Sequence, residues 1–262
     1  MRRVLPWERA SKLCFRPPTD LAALIRVATA ADVAVAAVET IVDAFNRAVR
    51  DHGTFRLVLA GGSTPRAAYS RLAAEQRSGL DWSRFEFYFG DERCVPPDDE
   101  RSNYRMARDS LLEPLGIQPS AVHRMAGEIE PEKAAAEYHA ELRELLPERA
   151  SLFDLVLLGL GPEGHTASLF PGAAALGERS RLALAVEVAA EPPQRITLTP
   201  VALARGSEML FMVAGTEKAD AVAAIFARGE DLPAARVAAL APSRFLVDEG
   251  AARGLPALDE AR

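Results

Sequence analysis

The sequence predicts an α/β fold built around a mostly parallel β-sheet. Short segments rich in β-branched and aromatic residues alternate with longer segments whose apolar residues recur at helical spacing, which is the rhythm of βαβ units. Residues 155–160 form an unbroken apolar run, typical of a strand that is buried on both faces of a parallel sheet. Hydrophobic residues make up 49% of the 262 residues and are spread along the chain, so a sizeable core can form.

The first half of the chain is predicted to begin with a long helix and then to alternate. The helix covers residues 30–51, with Thr29 as its N-cap and Gly53 at its end. A strand, a helix, a second strand and two further helices are then predicted, in that order, over residues 56–60, 65–76, 85–89, 102–112 and 131–146.

The second half begins with the apolar strand over residues 155–160. After a glycine-rich break we expect a short helical turn through Ala167 and Leu169, stopped by Pro171 and Gly172. Three strands, a helix and a last edge strand are then predicted over residues 183–188, 195–199, 210–214, 217–227 and 244–247.

The domain organisation is predicted to be simple. No linker rich in Pro, Gly or Ser and no internal repeat divides the chain. We therefore expect one domain over residues 1–262, with an N-terminal tail at 1–20 and a C-terminal tail at 249–262.

Composition excludes several functional classes. A net charge of −6 and a pI near 5.4 argue against a nucleic-acid surface. No apolar run approaches membrane-spanning length, and the basic first residues are not followed by the apolar segment of a signal peptide. Cys14 and Cys94 lie far apart and form no CxxC pair, as expected for reduced thiols of a cytoplasmic protein.

His165 is the best catalytic candidate. It follows Gly159, Gly161 and Gly164 just beyond the predicted strand over 155–160, where α/β sheets bind their ligands. An isolated histidine is more often structural, but this setting favours function. Glu163 lies two residues earlier and could orient the imidazole, or could be an exposed loop carboxylate. Since the sequence has no GxSxG or HExxH motif, His165 is expected to activate water directly, without a metal.

A second candidate is an anion site at the start of the helix predicted over 65–76. Gly61, Gly62, Ser63 and Thr64 join a strand to this helix, whose N-terminus offers free N–H groups and a favourable dipole. The motif matches neither a Walker A loop nor GxGxxG. Taken alone, the motif is better explained as a tight turn with a Ser or Thr cap.

Charged residues at three further strand ends could complete such a site. Asp91, Glu92 and Arg93 follow the strand over 85–89, and a guanidinium suits oxyanions or phosphate. Arg195 opens a predicted strand, and Lys218 begins a helix after a glycine. The alternatives are a surface ion pair for the first group and solvated cations for the other two.

Four motifs in order resemble the 6-phosphogluconolactonase family, over roughly residues 24–247. The motifs are AGGSTP at 60–65, FGDERCVP at 89–96 with SNY at 102–104, GLGPEGHTASLFPG at 159–172, and RITLTP at 195–200. The third is highly specific, whereas the first is shared with related sugar-phosphate enzymes. The resemblance implies the three-layer α/β/α fold of the glucosamine-6-phosphate deaminase and ribose-5-phosphate isomerase superfamily.

The resemblance also implies a reaction and its residues. The expected activity is hydrolysis of 6-phospho-D-glucono-1,5-lactone in the oxidative pentose phosphate pathway, without metal or organic cofactor. His165 would be the general base and Arg93 would hold the substrate or stabilise the oxyanion. The residues that bind the substrate or its phosphate would be Gly61, Gly62, Ser63, Thr64, Asp91, Arg195 and Lys218. The sequence leaves open whether Asp91 faces the substrate or braces its loop. The family commonly has Asp where this chain has Glu163, so the carboxylate is present on a longer arm.

Other functions compete with this interpretation. In glucosamine-6-phosphate deaminases the corresponding pattern resembles GHIAFNEP, in which a glutamate follows the histidine region and assists ring opening. The matching residues here are Leu169, Phe170 and Pro171, which supply no carboxylate. Their DEY motif is also replaced by DER. A sugar-phosphate-sensing module would resemble regulators with a helix-turn-helix domain, which we do not expect in this chain. An inert scaffold would leave the glycine loops and cations unexplained. The oligomeric state, monomer or small homo-oligomer, stays open.

Overall fold

The computed structural model describes residues 22–146 and 151–255 of the chain. The expected N-terminal tail, Cys14 and the end of the expected C-terminal tail lie outside these residues. The described strands are β1 (Ala22–Val27), β2 (Phe55–Leu59), β3 (Phe85–Phe89), β4 (Asp91–Arg93), β5 (Leu155–Leu158), β6 (Ala183–Glu187), β7 (Gln194–Leu198), β8 (Met209–Val213) and β9 (Ser243–Asp248).

Helical segments connect most of these strands. They are α1 (Ala30–His52), α2 (Ser63–Glu75), α3 (Asn103–Ala107), α4 (Glu113–Leu115), α5 (Pro131–Glu144), α6 (Pro200–Leu203), α7 (Ala219–Phe226) and α8 (Pro233–Ala238). A π-helical turn over Arg108–Leu112 joins α3 to α4, and short 3₁₀ turns cover Trp82–Arg84, Pro119–Ala121, Ala174–Gly177 and Thr216–Lys218. Among the described residues, no helix combines the length and apolar character needed to span a membrane.

Six strands form one fully parallel sheet in the order β1-β9-β8-β5-β2-β3. Successive side chains point to opposite faces of the sheet, so each inner strand contributes side chains to two separate cores. Phe55, Leu57 and Leu59 of β2 lie in the core beneath α1 and α2, whereas Val58 lies in the opposite core. That second core also includes α5, α7 and α8. The predicted three-layer α/β/α arrangement is therefore confirmed.

The first predicted helix is confirmed in detail. Thr29 caps α1 by accepting a hydrogen bond from the Asp32 N–H, and Asp32 returns one to the Thr29 N–H. Gly53 ends the helix with φ +88°, in the left-handed region that favours glycine.

A second, smaller sheet carries part of the site. Its three antiparallel strands run in the order β4-β7-β6, packed over the core that contains α5. β4 follows β3 after a single residue, Gly90, so the chain passes directly from the large sheet into the small one. The sequence predicted charged residues at this point but no strand.

Several predicted elements were wrong. No helical turn forms through Ala167 and Leu169; instead the Leu169 N–H donates to the Thr166 carbonyl in a tight turn, with Ala167 at φ +48°. The strand predicted as an edge over 244–247 is β9, which lies between β1 and β8. The edge strand on that side of the sheet is β1. It was not predicted, because its short segment shows no apolar pattern strong enough to identify it.

Helix boundaries also shifted. The helix predicted over 65–76 begins two residues earlier at Ser63, and the one predicted over 102–112 contains the π-helical turn. The helix predicted over 217–227 begins as a 3₁₀ turn and becomes α-helical at Ala219. The short helices α6 and α8 were not predicted.

Candidate active site

One cavity of about 290 Å³ lies beyond the carboxyl ends of β2, β3, β5 and β8. Because the strands are parallel, their carboxyl ends meet at the same edge of the sheet, where α/β proteins bind ligands. Its walls include nine of the ten candidate residues predicted from sequence: Gly61, Gly62, Ser63, Thr64, Asp91, Arg93, His165, Arg195 and Lys218. The tenth, Glu163, does not line the cavity but lies next to His165.

Glycines shape the loop that carries His165. The Gly161 N–H donates to the His165 carbonyl at 2.8 Å, and the Gly164 N–H donates to the Gly161 carbonyl at 2.9 Å. The imidazole packs directly on Gly161, where a Cβ would lie 2.0 Å from Nδ1. Gly164 has φ +84°, which disfavours other residues. The glycine-rich sequence thus places the imidazole closer to the backbone than any side chain at residue 161 would allow.

The two nitrogens of the His165 imidazole have different surroundings. Nδ1 is buried and lies 3.0 Å from Glu163 Oε1, within ion-pair distance but without hydrogen-bond alignment, and no other described residue bonds to it. The Phe170 ring stacks on the imidazole with centroids 4.0 Å apart and planes 13° apart. Nε2 is therefore the nitrogen that faces the cavity, in the orientation that a general base needs.

The loop before α2 presents its backbone to the same cavity. Gly62 is the N-cap of α2 with φ +109°, and no described side chain caps this helix. Ser63 and Thr64 are the first residues of the helix, so the capping role that sequence alone left open does not apply. Tyr69 secures the loop, because its hydroxyl accepts from the Ala60 N–H and donates to the Ala60 carbonyl. The helix N-terminus is thus available for an anion.

Two arginines lie side by side on the small sheet. Arg93 of β4 and Arg195 of β7 are directly opposite in the register. The Arg195 guanidinium donates to the Pro192 and Glu191 carbonyls, and Arg93 Nη1 donates to the Arg101 carbonyl. Burial, followed by the charge of Arg93, lowers the pKa of Arg195. Two adjacent cations repel each other, so an anion bound at this wall relieves an unfavourable interaction.

The remaining charges of the DER motif have different surroundings. Glu92 points away from the cavity and accepts hydrogen bonds from the N–H groups of Arg93, Asn103 and Tyr104 and from the Ser102 hydroxyl. Burial raises the pKa of Glu92, and these hydrogen bonds act in the opposite direction. Glu92 therefore secures the start of α3 rather than contacting a ligand.

Asp91 lines the cavity, yet both of its carboxylate oxygens accept hydrogen bonds from protein. Ser168 Oγ donates to Oδ2 at 2.7 Å, and Asn103 Nδ2 donates to Oδ1 at 3.1 Å. The sequence reasoning did not single out Ser168, Asn103 or Phe170. The available signal was their position inside the SNY and GHTASLFPG motifs, whose serine, threonine and asparagine side chains are buried in the structure.

Taken together, the site combines a proton acceptor with a positive wall. An imidazole nitrogen faces a cavity that also contains two guanidinium groups, the Lys218 ammonium and a helix N-terminus. Such a site can bind a phosphorylated substrate and move a proton at a fixed point beside it. Among the described residues, no cluster of three or more His, Cys, Asp or Glu side chains could hold a metal ion.

Comparisons with known proteins agree with these features. Residues 28–245 match the family described as "Glucosamine-6-phosphate isomerases/6-phosphogluconolactonase". The 6-phosphogluconolactonase of Mycobacterium leprae is 42% identical over 212 residues, covering 76% of this chain and 85% of that protein. The 6-phosphogluconolactonase of Treponema pallidum is 39% identical over 187 residues, covering 71% of this chain and 78% of that protein.

Solved structures share the fold. The 6-phosphogluconolactonase from Trypanosoma brucei superposes with a TM-score of 0.80 at 30% identity, covering 92% of this chain and 100% of that one. A monomeric glucosamine-6-phosphate deaminase superposes with a TM-score of 0.76 at 20% identity, covering 88% and 99%. At that lower identity the likeness concerns the fold alone.

Proposed function

The chain belongs to the family of glucosamine-6-phosphate isomerases and 6-phosphogluconolactonases and is an enzyme of the 6-phosphogluconolactonase type; from this premise we propose that it opens 6-phospho-D-glucono-1,5-lactone with a water molecule activated by His165. The observation that carries the proposal is a single cavity in which the imidazole faces two arginines, a lysine and the N-terminus of α2. This combination suits a phosphorylated substrate whose reaction needs a base and an oxyanion partner.

The substrate phosphate binds to the positive side of the cavity. Gly62, Ser63 and Thr64 offer backbone N–H groups and hydroxyls at the start of α2, and Arg195 and Lys218 add positive charge. Charge-assisted hydrogen bonds from such groups are stronger than neutral ones. Holding the phosphate there places the lactone ring over His165, which converts attack by water into a reaction between positioned groups.

The chemistry then needs one proton acceptor that becomes a proton donor. Water attacks the C1 carbonyl carbon, and His165 Nε2 accepts a proton from that water. Arg93 stabilises the negative charge that develops on the former carbonyl oxygen. The bond from C1 to the ring oxygen breaks, and the imidazolium returns its proton to that oxygen, which becomes the 5-hydroxyl group. The new carboxylic acid loses its proton to solvent.

Glu163 has an orienting role in this proposal. Its carboxylate lies 3.0 Å from His165 Nδ1, and its negative charge favours the tautomer with the proton on that nitrogen, which leaves Nε2 free to accept one. About half of the Glu163 side chain is exposed to solvent, which screens its charge. Replacing Glu163 is therefore expected to affect catalysis less than replacing His165.

The surroundings of His165 argue against the deaminase alternative. Phe170 stacks on the imidazole and Leu169 is buried, so no carboxylate from this segment reaches a substrate. A binding module without turnover would not require an imidazole nitrogen facing the anion site. We further propose a role in the oxidative pentose phosphate pathway, in the cytoplasm, as a monomer or small homo-oligomer. The net charge of −6 supports the absence of nucleic-acid partners.

The test is a coupled assay of lactone hydrolysis. Glucose-6-phosphate dehydrogenase generates the lactone, and 6-phosphogluconate dehydrogenase reports the product, with the spontaneous reaction subtracted. We expect acceleration by the wild type and a loss of about 10²–10⁴-fold in kcat for His165→Ala. Affinity for 6-phosphogluconate, measured by calorimetry, should remain nearly unchanged because the phosphate contacts are elsewhere.

A matched control is His52→Ala. His52 is also partly exposed and contacts a carboxylate, Asp154 Oδ1 at 2.9 Å, but at the opposite edge of the sheet. Its replacement should leave kcat unchanged. Full activity of His165→Ala would remove the proposed base, and a wild type that only released ammonia from glucosamine 6-phosphate would favour the deaminase.

A further inference from the structure

Ser168 connects the His165 loop to the small sheet through two contacts. Its hydroxyl donates to Asp91 Oδ2 at 2.7 Å, and its backbone N–H donates to the Thr197 hydroxyl at 3.3 Å. Ser168 is fully buried, and Asp91 and Thr197 are buried as well. Asp91 and Thr197 are direct partners in the register of β4 and β7, so Ser168 contacts both members of one cross-strand pair.

The next pair on the same face of that sheet is the arginine pair. Side chains alternate along a strand, so Asp91 and Arg93 share a face, as do Thr197 and Arg195. Pairs that are two residues apart along a strand are separated by roughly 7 Å. The Asp91–Thr197 pair thus holds the loop that carries His165. The neighbouring Arg93–Arg195 pair presents the cations that contact the substrate in the proposed reaction.

Asp91 is held from a second direction by Asn103. Asn103 Nδ2 donates to Asp91 Oδ1 and also to the Asp91 backbone carbonyl at 2.9 Å. The Asn103 side chain in turn lies against Gly61, where a Cβ would approach Asn103 Oδ1 to 2.0 Å. Asp91 is consequently the point at which the His165 loop, the small sheet and the loop before α2 meet.

We propose that Ser168 and Asp91 are positioning residues, and that the hydrogen bond between them holds the His165 loop at a set distance from Arg93 and Arg195. The inference rests on the proposed hydrolysis, in which the base and the oxyanion partner must act on one carbonyl group. Since both oxygens of Asp91 accept hydrogen bonds from protein, Asp91 acts through these contacts and takes no proton from the substrate. Of the two roles that the sequence left open for Asp91, facing the substrate or bracing its loop, this inference takes the second.

The test is a double-mutant cycle of Ser168→Ala and Asp91→Asn in the coupled lactone assay. We expect Ser168→Ala to lower kcat by about 10–10²-fold, the scale of a small displacement of catalytic groups, with KM nearly unchanged. The double variant should be no slower than Asp91→Asn. The one side-chain oxygen of an asparagine at residue 91 is needed by the Asn103 amide, so Asp91→Asn already removes the acceptor of the Ser168 hydroxyl. The pH profile of kcat/KM should keep its shape in Asp91→Asn, because a positioning residue neither accepts nor donates a proton in the reaction.

A matched control is Ser110→Ala, which removes a buried serine hydroxyl that donates to the Met106 carbonyl within a helical segment. This variant should keep the wild-type kcat. An unchanged kcat in Ser168→Ala, a loss confined to KM, additive losses in the double variant, or a missing pH limb in Asp91→Asn would each overturn the inference. A wild type without activity would contradict the proposed function itself, and the inference with it.

Discussion

The absence of a side chain at Gly161 is as important to this site as the side chains that line it. Gly161 allows the His165 imidazole to lie against the main chain, and the ring is held from its other face by Phe170. The position of the proposed base therefore depends on a steric condition at Gly161, a residue to which the proposal gives no chemical role.

Gly161→Ala should displace the imidazole. A Cβ would lie 2.0 Å from Nδ1, so the ring must move, and we expect a loss of about 10²-fold in kcat. Gly177→Ala is the control, because a Cβ there meets no atom within 4 Å. The coupled assay measures both variants, and wild-type activity of Gly161→Ala would show that the loop relaxes without cost.

Cys94 illustrates how burial suppresses reactivity. Burial, followed by the charge of Glu92, raises the pKa of the Cys94 thiol to about 11. The nucleophilic thiolate is therefore scarce at neutral pH.

Cys94 should react slowly with iodoacetamide in the folded protein at pH 8. The pKa shift predicts about one thiolate per thousand thiols at this pH, rising tenfold per pH unit until the pKa is approached. Peptide mapping by mass spectrometry measures labelling of Cys94, with the urea-unfolded protein as the control. Equal rates in the two states would contradict the shifted pKa.

Among the elements, β4 has a role out of proportion to its three residues. Asp91 and Arg93 face the cavity, whereas Glu92 faces the opposite side and accepts hydrogen bonds at the start of α3. A single short strand thus supplies part of the cavity wall and also supports the start of the neighbouring helix.

Glu92→Gln should destabilise the fold. The neutral amide loses the charge-assisted hydrogen bonds to N–H groups and leaves buried donors without acceptors, at a cost of about 1–3 kcal/mol in the free energy of unfolding. Urea unfolding measures this change. The control is Glu100→Gln at an exposed loop residue, which should be neutral. A Glu92→Gln protein as stable as the wild type would show that the carboxylate is already protonated or dispensable.

For the whole molecule, the cavity joins segments that are far apart in the chain. Its walls come from residues near Gly61, Arg93, His165, Arg195 and Lys218. A ligand that binds all of these segments binds only the folded state, so its binding free energy adds to the stability of the fold.

6-Phosphogluconate, the product, should therefore raise Tm. At 100 times Kd the expected stabilisation is about 2.7 kcal/mol, which corresponds to roughly 5–10 °C for a chain of this size. Arg195→Ala should lose most of this shift, whereas Arg50→Ala, at an exposed residue of α1, should retain it. Differential scanning fluorimetry measures both, and an unchanged shift in Arg195→Ala would exclude Arg195 from the phosphate site.

The sequence by itself determined the alternation of strands and helices, the ends of α1 and the segments that meet at the cavity. These features are local: helical and strand periods, caps and glycine turns act over a few residues. The placement of nine candidate residues around one cavity follows, because parallel strands bring their carboxyl ends to the same edge. The catalytic roles given to these residues stay predictions.

Only the tertiary structure decided how those segments pair. It placed β9 inside the sheet, made a strand of Asp91–Arg93, set Arg93 opposite Arg195, and joined Ser168 to Asp91 across 77 residues. None of these contacts has a local signal, because strand register and buried hydrogen bonds depend on which distant surfaces pack together. The physical reason is that periodicity tells which face of a segment is buried, whereas the partner of that face is selected by packing of the whole chain.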